Sequence, residues 1–259
     1  MLSYQHIYHA GNLADVHKHA LLAWMLSYLT QKDKPLSYLE THAGRGLYQL
    51  DATEAVKTGE AAAGIGKLAE SFPKNHPYRR RLDEVRTRYG DKAYPGSPLI
   101  AALSLRAQDS LHLAELHPQE HEALLEAMYE FPAYPHKQDG FEMAQSLCPP
   151  TPRRGLLLID PSYELKEDYD RLPRIIETLN RKWNVGVIAL WYPILGSGIH
   201  TQMLAELSAM HPEALRHEVK FGPARKGHRM IGSGMFILNP PYGLGDEAKR
   251  LSNIFRTRA

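Results

Sequence analysis

Apolar positions along the chain fall into two kinds of run, and the two kinds alternate. Over residues 15–29, Val16, Leu21, Leu22, Met25, Leu26 and Leu29 recur at roughly helical spacing, which predicts a helix that Lys34-Pro35 cannot continue. Shorter runs at 36–39, 111–116, Gly155–Ile159, 185–191 and 235–238 are mostly apolar and too short for helices, so they read as strands. Helical patterns at 119–129 and 169–181 lie between them. Strands alternating with helices predict an α/β fold, a mostly parallel sheet with helices on both faces.

Residues 51–94 interrupt the alternation. They show helical patterns, no convincing strand, and a basic run of Arg79-Arg80-Arg81 with Arg86 and Arg88 against Asp83 and Glu84. The expected organisation is therefore an α/β domain formed by 1–50 and 95–259, with a helical insertion at 51–94. The arginines suit either a solvated helix face or contact with a phosphate backbone.

Composition narrows the classes. A chain of 259 residues with 43% hydrophobic and 23% charged content can bury a core without staples. Its one cysteine, Cys148, excludes an intrachain disulfide and a cysteine zinc cluster and suits a reducing cytoplasm. No signal-peptide profile and no apolar run of spanning length is seen, so a cytoplasmic protein without membrane contact is expected. The net charge of +2 is too small to diagnose nucleic-acid binding. Of 14 histidines, His6, His9, His17 and His19 crowd the N-terminus, where they suit metal binding, catalysis or polar contacts.

Candidate chemistry gathers at predicted strand ends, where open α/β sheets bind ligands. The first strand runs into Thr41-His42-Ala43-Gly44-Arg45-Gly46, whose glycines let a backbone approach a cofactor, Gly44 foremost. The second ends at Glu115, placed to accept from a ribose or simply to cap its strand. Asp139-Gly140-Phe141 follows a third as an Asp-Gly turn. The fourth delivers Asp160-Pro161-Ser162-Tyr163: a carboxylate, a backbone carbonyl and a ring, which together suit an exocyclic amine on a flat heterocycle. Asn239-Pro240-Pro241-Tyr242 repeats this wording after a later strand, and its place in the chain order favours a structural turn.

Beyond these single signals, the chain resembles one family in order along nearly its whole length. Tyr4, His6, His9-Ala10-Gly11-Asn12, Ala14-Asp15, Lys18-His19, Thr41-His42-Ala43-Gly44, Tyr94-Pro95-Gly96-Ser97-Pro98, Glu115-Leu116-His117-Pro118, Asp139-Gly140-Phe141 and Leu190-Trp191-Tyr192-Pro193 resemble the bacterial large-subunit (23S) ribosomal RNA adenine-N6 methyltransferases. The resemblance implies a Rossmann-like methyltransferase sheet and S-adenosylmethionine as cofactor, held by His19, His42, Ser97, Glu115, Asp139, Gly140 and Asp160. It also implies Asp160 as proton-accepting carboxylate and Tyr4, with Lys18, as substrate contacts. The family's Asp-Pro-Pro-Tyr is Asp-Pro-Ser-Tyr here, and Ser162 restores a backbone N–H and frees a fixed φ.

The implied chemistry is coherent. Adenine N6 is a poor nucleophile because its lone pair is delocalised into the ring. Asp160 and the Pro161 carbonyl would accept its protons while Tyr163 holds the base flat, with no metal. The expected partner is ribosomal RNA presenting an unpaired or flipped adenine to a monomeric enzyme, its backbone held by Tyr4, Tyr8 and the basic stretches at 79–88 and 225–229, with DNA as a further candidate. Two rivals stand beside this reading, both suited to the use of external DNA noted for some family members. One is a nuclease or phosphohydrolase using the N-terminal histidines with Asp15, and the other a non-catalytic nucleic-acid-binding protein.

Overall fold

In the computed structural model, residues 5–222 and 229–258 are described. Strand β1 (Ser37–Glu40) sits at the centre, flanked by parallel β4 (Ser110–Ala114) and β6 (Gly155–Ile159). With β5 (Tyr134–His136), β7 (Val187–Leu195), β8 (Leu215–Lys220) and β9 (Met230–Leu238), they form a sheet ordered β5-β4-β1-β6-β7-β9-β8. The first five strands in that order are parallel, whereas β9 runs antiparallel to both its neighbours. Every residue of β1 and β6 is buried, as two covered faces require. Strand order reverses between β1 and β6, so a crevice opens there at the strands' carboxyl ends.

The N-terminal helix starts at Leu13, earlier than its apolar spacing suggests, because Asn12 caps it by accepting the Asp15 N–H at 2.9 Å. It packs on one face of the sheet, in a core that includes Leu21, Leu22, Met25 and Leu26. Helices Glu167–Lys182 and His200–Met210 cover the other face, with Leu172, Ile176, Leu204 and Leu207 in a second core. Among the described residues, no helix is long and apolar enough to cross a membrane.

The 51–94 segment contains helices, the longest Pro77–Tyr89, and sends Phe72, Tyr78, Leu82 and Val85 into the N-terminal helix's core. At its neck, β2 (Leu47–Gln49) pairs antiparallel with β3 (Ala93–Pro95), two strands too short to leave a periodic signal. Three arginines of this segment are paired within it or with neighbouring elements. Arg79 donates to the Ala69 carbonyl and pairs with Glu70 and Asp83, Arg81 pairs with Glu84 and donates to the Leu103 carbonyl, and Arg88 meets Glu130. Strand β8 also escapes the sequence pattern: Leu-Arg-His-Glu-Val-Lys is an edge strand with polar positions on both sides.

Candidate active site

At the carboxyl edge of β1, β4, β6 and β7 lies a cleft of about 830 Å³. Lys18, His19, His42, Gly44, Ser97, Glu115, Asp139, Gly140, Asp160, Pro161 and Tyr163 all line it, although they are scattered over more than half of the chain. Tyr4 and Arg225 lie outside the described residues.

The all-apolar β6 carries Asp160 out of the core into this cleft. Beneath it, Lys18 of the N-terminal helix is only 4% exposed and shares its ammonium between Asp160 (2.5 Å) and Asp15 (3.1 Å). Burial works against that charge, but the two carboxylates outweigh it and hold the Lys18 pKa above its ordinary value. Asp15 is lowered despite burial, because His6, Lys18 and His19 surround it and His6 Nε2 lies 2.9 Å from its carboxylate.

After Pro161 and the exposed Ser162, Tyr163 adopts φ 55°, a left-handed conformation that costs a bulky residue on the order of 1–3 kcal/mol. Its hydroxyl donates to the Trp191 carbonyl at 2.7 Å, and its ring lies 4.7 Å from that of Tyr169. These contacts hold the strained turn. Trp191, from β7, closes the cleft beside it, with the Lys18 ammonium 5.5 Å from its ring centroid.

A second wall is built from backbone. Gly44, at φ 62°, donates its N–H to Glu115 Oε2 at 2.8 Å, and the other Glu115 oxygen accepts from the His117 N–H. Burial raises the Glu115 pKa, and these two hydrogen bonds partly oppose it. Asp139 caps the helix Gly140–Leu147, its Oδ1 accepting from the Phe141 and Glu142 N–H groups. At Gly140 the chain crosses Thr41 so closely that a Cβ would stand 1.8 Å from the Thr41 carbonyl oxygen. His42 rests edge-on against Phe141 and is pushed by burial to a pKa of about 4, so it is neutral.

Deeper still is a group that the strand pattern contains but does not single out. Glu40, at the end of β1, is fully buried and accepts from the Tyr38 hydroxyl (2.8 Å) and from the Ser97 hydroxyl. Burial pushes its pKa up to about 8, against the lowering effect of both hydrogen bonds. The Ser97 hydroxyl is thus turned toward Glu40. His19, 1% exposed and lowered by burial to about 3, bonds through Nδ1 to the Tyr94 hydroxyl. The available signal for Glu40 was its position: like Glu115 and Asp160, it is an acid at a strand's carboxyl end.

Of the N-terminal histidines, His6 and His19 share Asp15, at 2.9 and 3.9 Å, while His9 and His17 go to separate partners. His6 meets Asp15, His9 meets Glu60, His17 meets Ser233 and His217, and His19 meets Tyr94. Asn239 lies elsewhere. Because β9 is antiparallel, its Leu238 pairs with Ile188 at the start of β7, so Asn239 emerges at the amino edge of the parallel strands. There its amide donates to the carbonyls of Asn184 (3.1 Å) and Gly186 (2.8 Å).

The cleft's features fit an adenosyl cofactor: a bare backbone crossing at Gly140, a glycine turn tied to Glu115, strand-end acids, and volume in the range of ligand sites. Comparisons with known proteins agree. Residues 33–258 match the family model RsmJ, described as ribosomal RNA large subunit methyltransferase D, RlmJ. Ribosomal RNA large subunit methyltransferase J of Escherichia coli (strain K12) is 41% identical over 249 residues, covering 94% of this chain and 89% of that protein. The Haemophilus influenzae protein of the same name is 39% identical, covering 97% and 92% respectively. The crystal structure of protein LPL1258 from Legionella pneumophila superimposes with a TM-score of 0.86 at 37% identity, covering 96% of this chain and 93% of that one.

Proposed function

Since the chain belongs to the ribosomal RNA large subunit methyltransferase J family, we infer that it transfers a methyl group from S-adenosylmethionine to the N6 amine of an adenine in 23S ribosomal RNA. The observation that carries the catalytic assignment is Asp160, a carboxylate delivered by a buried strand into the cleft between Lys18 and the strained Tyr163 turn. The nuclease and non-catalytic readings are not favoured for a member of this family.

When bound, the cofactor supplies its methyl group on an already activated sulfonium. Asp139, Gly140, Glu115, Gly44, His42 and Ser97 form the wall that would hold it, with Asp139 and Glu115 as hydrogen-bond acceptors. Asp160 and the Pro161 carbonyl accept from the adenine amine and localise its lone pair. The Asp160 carboxylate is oriented beforehand by Lys18, so little reorganisation is left for the reacting complex. Tyr163 supplies the stacking face, fixed by its bond to the Trp191 carbonyl. Tyr4 is assigned to the substrate, and Lys18 contributes by orienting the groups around it.

The target base is taken unpaired or flipped out of its helix, because a paired amine cannot reach a strand-end carboxylate. The enzyme works as a monomer in the cytoplasm, and DNA, which carries the same exocyclic amine, is the second substrate to test. Residues 51–94 act as a helical insertion within the methyltransferase domain.

The test is transfer of tritiated methyl from S-adenosylmethionine to unmethylated 23S ribosomal RNA, with the product identified as N6-methyladenine. Wild type is expected to incorporate label and Asp160→Ala to lose it. Absence of incorporation by a wild-type protein that binds the cofactor would overturn the reading.

A further inference from the structure

Behind Trp191 runs a chain of polar groups that the reaction scheme leaves unused. The Trp191 indole N–H donates to Ser233 Oγ at 2.9 Å. Ser233 is fully buried on β9 and lies 2.8 Å from Nδ1 of His17, itself fully buried on the N-terminal helix. His17 Nε2 is 2.9 Å from His217 Nδ1, and His217 Nε2 is 2.8 Å from Ser252 Oγ on the C-terminal helix Leu244–Arg258. Four elements are thereby tied to one side chain in the cleft wall.

The donors and acceptors balance when both rings are neutral. An indole N–H only donates, so Ser233 Oγ must accept from it. Every atom is satisfied when the Ser233 hydroxyl donates to His17 Nδ1, the His17 Nε2–H to His217 Nδ1, and the His217 Nε2–H to Ser252. Burial holds both imidazoles below their ordinary pKa, and their proximity lowers His17 further.

Such a chain is costly to bury, and beyond the edge-on contact of His17 with Phe255 its links are polar, so its value lies in what it holds in place. Its free end is the indole plane, which faces Lys18 and meets the Tyr163 ring edge-on at 5.9 Å between centroids. We propose that His17 is a positioning residue for methyl transfer: through Ser233 it sets the plane of the Trp191 indole, and so the wall against which the target base and Tyr163 are aligned. His217 and Ser252 in turn fix the orientation of the His17 ring. The effect on catalysis rests on the methyltransferase reading; the effect on the indole does not.

A double-mutant cycle tests it, using the full chain with unmethylated 23S ribosomal RNA. His17→Leu is expected to lower kcat about tenfold with cofactor affinity unchanged. In a Trp191→Phe background, which keeps a ring but removes the N–H, the same substitution should cost less than about twofold. His17→Asn, whose amide stands near the Nδ1 position and keeps Ser233 partnered, should retain activity within about threefold of wild type. If His17→Leu fails to fold, Ser233→Ala takes its place in the cycle.

An independent readout is the indole N–H resonance of Trp191, assigned by its loss in Trp191→Phe. It should shift and exchange faster with solvent in His17→Leu, or in Ser233→Ala, than in wild type. Equal losses of activity in both backgrounds, or an unmoved indole resonance, overturn the proposal. If wild type shows no methyl transfer at all, the functional reading fails and the resonance alone decides the role of His17.

Discussion

Two turns in this molecule share nearly the same wording. Asp160-Pro161-Ser162-Tyr163 follows β6 and Asn239-Pro240-Pro241-Tyr242 follows β9, and each contains a non-glycine residue in the left-handed region, Tyr163 at φ 55° and Asn239 at φ 51°. Their surroundings differ completely. The first opens into a cleft beside a buried ammonium, whereas the second lies at the opposite sheet edge, its amide tied to two backbone carbonyls. Strand direction makes the difference. A parallel strand delivers its last residue to the ligand edge, and an antiparallel one delivers it to the other. The left-handed conformation is easy for asparagine and costly for tyrosine, so only the first turn stores strain.

The sharpest way to break this comparison is to exchange the two chemistries. Asp160→Ala should lower kcat by about a thousandfold, within the range of lost acid–base groups. Adding Asn239→Asp, which writes the full Asp-Pro-Pro-Tyr motif at the wrong edge, should restore nothing. Recovery of N6-methyladenine in the double variant would show that strand direction does not select the site.

A smaller effect should come from Lys18→Met. It leaves Asp15 and Asp160 without their shared cation and should destabilise the protein by roughly 3 kcal/mol in chemical denaturation. Activity should fall with it. Asn239 makes its contacts with neutral carbonyls instead, so a neutral result for Lys18→Met would remove the electrostatic contrast between the two turns.

Glu40 extends that contrast to pH. Its carboxyl is raised to about 8 from an ordinary value of 4.5, so the folded state holds a proton that the unfolded state has released between those values. Stability should therefore decline as pH rises from about 4.5 to about 8, and the loss should persist above it, on the order of a few kcal/mol. Glu40→Gln should flatten that part of the profile. Thermal melts across this range check it, and equal slopes for the two proteins would count against a protonated Glu40.

Least affected should be Asn239→Ala. Losing two partly exposed amide hydrogen bonds should lower stability by about 1 kcal/mol and leave methyl transfer within about twofold of wild type. A large drop in kcat without unfolding would place the second turn in the chemistry.

Much of this was legible in one sequence, and what escaped did so for identifiable reasons. The strand-end acids Glu115 and Asp160 could be read because buried parallel strands are short apolar runs, and an acid closing one is conspicuous. The N-terminal helix could be read from its apolar spacing. Strand β8 could not, since its alternating polar residues make an edge strand resemble a loop, and so Asn239 follows the seventh strand of the large sheet rather than the sixth. Chain order still pointed the right way for Asn239, but the physical reason is the reversal of β9. Glu40 and Trp191 needed three dimensions, because their partners Ser97 and Ser233 are distant in sequence. For the arginines around Arg79 the sequence leaves a solvated helix face and a phosphate contact side by side; Arg79 and Arg81 pair with acids of their own segment.

The bond between Lys18 and Asp160 joins residues 142 positions apart. Contacts of that span close late in folding, because the intervening chain must first be ordered at an entropic cost that nothing yet offsets. Until β6 docks beside β1, the lysine has no reason to leave water, and the helix that carries it has no sheet to cover. A growing chain that has not yet reached residue 160 therefore carries Lys18 and the residues of the cofactor wall but lacks the carboxylate at its reactive centre. The enzyme becomes competent only when its central sheet is in place, so an incomplete or misassembled chain carries no half-built site able to modify RNA.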